Sequence, residues 1–168
     1  MDQPHPCGHG KDRAAQNIRE DRIGAWGYSA GAHLAALIGV TSRGDKFFTQ
    51  GTHVQAVVAG GTPADVRYYP TSSLINSLMG VPYNENPDFW RDASPIALVN
   101  ADDPPTFLYH GTFDYTVGVK NANAMYDALN EAHVPSELYL MRGLDHFTTF
   151  FVDRPVEQGI AFLDRHLR

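Results

Sequence analysis

Asp21-Arg22-Ile23-Gly24-Ala25-Trp26-Gly27-Tyr28-Ser29-Ala30-Gly31-Ala32-His33-Leu34-Ala35 is the stretch on which the reading of this chain turns. It opens with a short apolar run, Ile23 to Gly27, of the kind that forms a buried strand. From Ala30 to Val40, Ala, Leu and Ile recur at helical spacing, so a strand is expected to run directly into a helix. The junction is Gly27-Tyr28-Ser29-Ala30-Gly31, a G-x-S-x-G. In that position the pattern matches a nucleophile elbow, a strained turn eased by glycines that lifts a serine hydroxyl above the sheet. The backbone N–H of Ala30 would then face a developing oxyanion, helped by the positive end of the helix. The plainer alternative is a serine near an ordinary helix start, where capping is its common role.

Outward from this stretch the same alternation repeats. Val54 to Ala59 is a near-continuous apolar run, which suits a parallel strand covered on both faces, and Thr106 to His110 and Glu137 to Met141 follow it. Ala122, Met125, Leu129 and Ala132 form one helical stripe between the third and fourth runs, and Val156, Ile160, Leu163 and Leu167 form another after Pro155, which a first helical turn accepts. The order predicts an α/β fold, a mostly parallel sheet of about four strands with helices on both faces in three layers. Thr62 to Pro95, rich in proline, reads as an excursion over one end of the sheet with a short helix at Ser73 to Met79. Residues 1–17 read as an irregular arm, and the whole of 1–168 as a single domain.

A serine hydroxyl needs a base, and the base needs an acid to orient it. Asp114 lies just past the third strand and His146 after the fourth, so Ser29, Asp114 and His146 follow three different parallel strands at their carboxyl ends. Competing carboxylates are weaker candidates. Asp102 and Asp103 precede their strand, and Asp145 adjoins His146 too closely to orient its ring. His110 is expected to satisfy backbone groups at its strand end, and His33 to pack or bond at the helix surface. Trp90, Phe89, Tyr68 and Tyr69 are read as buried aromatics before they are read as a pocket lining.

These motifs, with Ala93-Ser94-Pro95, Pro105-Thr106-Phe107-Leu108-Tyr109-His110-Gly111-Thr112-Phe113-Asp114 and Asp145-His146-Phe147, resemble the α/β-hydrolase superfamily. The likeness is to carboxylesterases of the hormone-sensitive-lipase and feruloyl or acetylxylan esterase kind, and covers about Ile18 to Arg168. It implies Ser29 as nucleophile, Asp114 as acid, His146 as base and Ala30 as oxyanion donor, acting on short-chain esters through an acyl-enzyme without cofactor or metal. Members of the family begin with a longer N-terminal half that supplies further strands and a His-Gly-Gly loop for the oxyanion hole. This sequence resembles the C-terminal half alone, a truncated α/β-hydrolase fold. The nucleophile strand is therefore expected at a sheet edge, and a second copy of the chain is expected to cover it in a homo-oligomer. Gly8-His9-Gly10 only superficially matches the His-Gly-Gly loop. A peptidase or amidase of the same fold, and an impaired half-fold serving as a binding or assembly module, are the rival readings.

Composition narrows the classes further. The chain has 168 residues and a net charge of −6, which suits one domain burying roughly two-thirds of its unfolded surface and gives no basic field for nucleic acid or an anionic membrane. No run approaches the ~18 apolar residues of a membrane span, and residues 1–10 lack a signal-peptide core, so a soluble, cytoplasmic chain is expected. The single cysteine, Cys7, forms no intrachain disulfide, and His5, Cys7 and His9 lack the fixed geometry of a metal site.

Overall fold

In a computed structural model of the chain, residue 19, residues 21–51 and residues 53–168 are described. The arm at 1–17, with His5, Cys7, His9 and the Gly8-His9-Gly10 stretch, lies outside them. The four expected strands are present as β1 (Gly24–Tyr28), β2 (Ala56–Gly60), β3 (Thr106–Gly111) and β4 (Ser136–Met141). They form one sheet in the order β1-β2-β3-β4, every pair parallel. The first two strands sit one or two residues later than the apolar runs suggest, because ladder pairing fixes the ends and hydrophobicity does not.

Helix α1 (Ala30–Val40) follows β1, and α4 (Lys120–Glu131) joins β3 to β4. Both cover one face, where Ala32, Ala35, Met125 and Leu129 pack on Val57, Ala59 and Leu108. Helix α6 (Asp153–Leu167) covers the other, with Phe162 against Ala56, Val58, Phe107 and Tyr109. Alternate residues of the buried central strands thus feed opposite cores, which is why their sequences read as continuous apolar runs. On α6 the buried residues are Pro155, Gly159 and Phe162, whereas Val156 and Ile160 of the expected stripe stay exposed.

Between β2 and β3 the chain makes the expected excursion. It holds α2 (Ser73–Met79), α3 (Pro87–Asp92) and two single 3-10 turns, Val66–Tyr68 and Pro95–Ala97. Trp90, Val66, Met79 and Ala93 form a small core of its own, and the Trp90 indole N–H donates to the Val81 carbonyl at 2.9 Å. The last short helix, α5 (His146–Phe150), has too short an apolar pattern to show in the sequence, and His146 is its first residue. Asp145 caps it in a reciprocal capping box with Thr148. No helix among the described residues is long and apolar enough to cross a membrane.

Candidate active site

The sheet ladder continues past the strand ends and sets the rim on which the site is built. Ser29 N–H donates to the Gly60 carbonyl at 2.8 Å, Gly61 N–H to Tyr109 at 2.9 Å and Thr112 N–H to Met141 at 3.0 Å. The turns after all four strands are thereby held in fixed relation. Ser29 has φ 54° and ψ −119°, a conformation costly for a residue with a side chain. Gly27 makes the turn possible, since a Cβ there would lie 2.2 Å from the backbone of Gly31. Gly31 differs from the expectation that both glycines relieve crowding: a Cβ there would meet nothing within 4 Å.

Asp114 follows β3 in a tight turn. Its Oδ1 accepts the N–H groups of Thr116 at 3.0 Å and Val117 at 2.7 Å, leaving Oδ2 free to face inward. From α5, His146 Nδ1–H donates to Asp114 Oδ2 at 2.6 Å, and Ser29 Oγ–H donates to His146 Nε2 at 2.8 Å. The structure therefore brings Ser29, His146 and Asp114 into one hydrogen-bonded line. Asp114 and His146 are buried, while Ser29 keeps partial access to solvent. Ala30, first in α1, is exposed, and its N–H has no hydrogen-bond partner among the described residues, as expected for a helix start.

His146 must reach back across the sheet from beyond β4, and two features seen only in three dimensions hold it there. Tyr28, inside the G-x-S-x-G, donates its hydroxyl to the His146 carbonyl at 2.5 Å and packs its ring on those of His146 and Phe150. Burial raises the Tyr28 phenol well above its ordinary range, so it remains a donor. Gly61, at φ 57°, passes under the imidazole where a Cβ would come within 3.1 Å of His146 Cε1. No pattern in the sequence marks either role.

The other candidates lie elsewhere. Asp145 spends its carboxylate on the N–H and hydroxyl of Thr148, which hold its pKa below the usual carboxylate range. Asp103 accepts hydrogen bonds from Asn100 before β3, at the opposite end of the strand. His33 Nδ1–H donates to the Pro63 carbonyl at 2.9 Å, and burial lowers its basicity. His110 Nε2–H donates to the Val117 carbonyl at 2.7 Å. Trp90 is wholly buried in the excursion, Phe89 sits against Phe47 and Lys46, Tyr68 lies under Lys120, and Tyr69 accepts from Asn121. Exposed aromatic rings instead come from the turn that carries Asp114 and from α5 and its end: Phe113, Tyr115, Phe147, Phe150 and Phe151. Among the described residues no three metal-binding side chains gather in one place.

The chain is similar to known esterases. The esterase LipQ of Mycobacterium tuberculosis is 29% identical over 133 residues, covering 71% of this chain and 31% of LipQ. The esterase LipC of the same organism is 30% identical over 121 residues, 64% of this chain and 30% of LipC. This chain thus spans less than a third of the length of either relative. Among solved structures, an acetyl ester-xyloside bifunctional hydrolase from Caldicellulosiruptor lactoaceticus superimposes with a TM-score of 0.75 at 26% identity, over 90% of this chain and 59% of that one. The BD-FAE family matches residues 11–129, a span that includes Ser29, Ala30 and Asp114. With its parallel sheet and flanking helices, the chain belongs to the BD-FAE family of the α/β-hydrolase fold.

Proposed function

We propose that this chain carries the catalytic residues of a serine carboxylesterase that acts on short-chain esters. One observation supports it above the rest: Ser29 Oγ, the His146 ring and Asp114 Oδ2 stand in line at 2.8 and 2.6 Å, with Ser29 in a strained elbow. In this reading Ser29 Oγ attacks the ester carbonyl while His146 Nε2 takes its proton. The Ala30 N–H, at the positive end of α1, stabilises the oxyanion. Collapse of the tetrahedral intermediate expels the alcohol, which receives the proton from His146, and leaves an acyl group on Ser29. Water, deprotonated by His146, attacks that acyl-enzyme, and collapse of the second tetrahedral intermediate releases the acid while His146 returns the proton to Ser29 Oγ. Asp114 holds His146 in the Nδ1–H tautomer throughout and balances the imidazolium charge.

The test is hydrolysis of p-nitrophenyl acetate by the whole chain and its Ser29→Ala variant. Turnover in the first and a loss of roughly 10⁴-fold or more in the second is the expected result. The reading is overturned by equal rates in both, or by no turnover from a folded wild type. Cleavage of an anilide without any ester hydrolysis favours the peptidase or amidase alternative.

A further inference from the structure

His110 is the last residue but one of the buried strand β3 and is bypassed by the proton path from Ser29 to Asp114. It is wholly buried. Its Nε2 lies 2.7 Å from the Val117 carbonyl and 3.2 Å from Asp114 Oδ2. A carbonyl oxygen only accepts, so Nε2 carries the proton. The other ring nitrogen, Nδ1, has no hydrogen-bond partner among the described residues. A buried imidazole with one nitrogen unpaired is a costly way to fill space that an apolar side chain would fill better. The paired nitrogen is therefore where its use lies.

Val117 is gripped from two sides. Its N–H donates to Asp114 Oδ1, and its carbonyl accepts from His110. These bonds close the segment from 110 to 117 on itself and leave Asp114 Oδ2 as the oxygen that receives His146 Nδ1–H. We propose that His110 is a positioning residue for the Asp114–His146 pair: by anchoring the Val117 carbonyl it fixes the turn that aims Asp114 Oδ2 at the His146 ring. Burial lowers the basicity of His110, opposed by the Val117 carbonyl and by Asp114. It thus stays uncharged beside the carboxylate. A protonated His110 would set a second cation against Asp114 Oδ2 and weaken its hold on His146. The ionisable groups around the pair are His110 from β3, Tyr28 from β1, Tyr69 after the Val66–Tyr68 turn, and Asp145 at the start of α5.

This inference rests on the reading of His146 as the base, and its test separates the two. The His146 ring is followed by ¹H–¹⁵N NMR across pH in the wild type, His110→Phe and His110→Gln, without substrate. The Gln amide reaches the position of Nε2 and donates to the Val117 carbonyl. In His110→Phe the downfield Nδ1 proton of His146 is lost or moved upfield. With p-nitrophenyl acetate, kcat drops roughly tenfold or more at unchanged KM. His110→Gln restores most of the proton signal and of kcat. Should His110→Phe not fold, His110→Asn, whose amide is too short for Val117, takes its place. An unmoved proton signal in the folded donor-free variant, or His110→Gln behaving like it, overturns the inference. A chain without esterase activity whose His146 still responds to His110 overturns the catalytic reading and leaves this one standing.

Discussion

At the scale of single residues, two buried carboxylates behave in opposite ways according to the hydrogen bonds they receive. Asp114 is buried yet takes hydrogen bonds from Thr116, Val117 and His146, so its charge is compensated. Asp103, at the other end of β3, accepts from Asn100 alone, and burial, with Asp102 and Asp45 nearby, pushes its carboxyl up to about 7. The folded chain therefore keeps this proton between about pH 4 and 7 while the unfolded chain gives it up. Its contribution to stability is complete below pH 4, is lost as pH rises toward 7, and is level beyond. Asp103→Asn removes that loss and keeps an oxygen for Asn100. Urea midpoints at pH 5 and pH 8 are expected to show the variant gaining on the wild type at the higher pH. An unchanged difference contradicts this. The residue scale was also legible in sequence: order, context and the family likeness name Ser29, Asp114 and His146, and the structure brings these three side chains together. Tyr28 and Gly61 were not legible, because a phenol bonding a carbonyl 118 residues away and a glycine under an imidazole leave no local pattern.

Among the elements, those with a long apolar period were read with little error. Helix α1 coincides with the sequence reading because its elbow fixes one end and the apolar run the other. Helix α2 also coincides, with Ser72 capping its start and Gly80 in a left-handed conformation closing it. The misses are α3 and α5, six and five residues long, too short for a helical stripe to show. Their start signals were nevertheless present: Asn86 caps the N–H of Phe89 ahead of Pro87 in α3, and Asp145 with Thr148 forms the box on α5. Caps thus carried information that periodicity did not. Helix α5 matters most, since it turns His146 back over the sheet. On α6 the stripe was recognised but its buried face misjudged, because Gly159 admits the Trp26 ring and rotates the contact toward Phe162.

At the scale of the whole molecule, β1 and β4 are the two edges of the sheet among the described residues, and Trp26 is 37% exposed on β1. The helices packed on the sheet also carry exposed apolar side chains, Leu34 and Ile38 on α1 and Val156 and Ile160 on α6. An apolar surface of that shape suits further strand and helix pairing. Two copies joined edge to edge about a two-fold axis present the same strip to each other, which is the basis for proposing a homodimer. Light scattering coupled to size exclusion is expected to give twice the mass of 18.6 kDa, with Leu34→Lys shifting it toward the monomer. A monomer at micromolar concentration contradicts the proposal.

The central claim is that Ser29 is a nucleophile activated by His146 and Asp114. Labelling of the folded chain with a fluorophosphonate, followed by peptide mass spectrometry, tests it most directly. The account predicts one adduct, on Ser29, that forms slowly or not at all in His146→Ala and is absent in Ser29→Ala. A folded chain that takes no label, or takes it equally without Ser29, contradicts it.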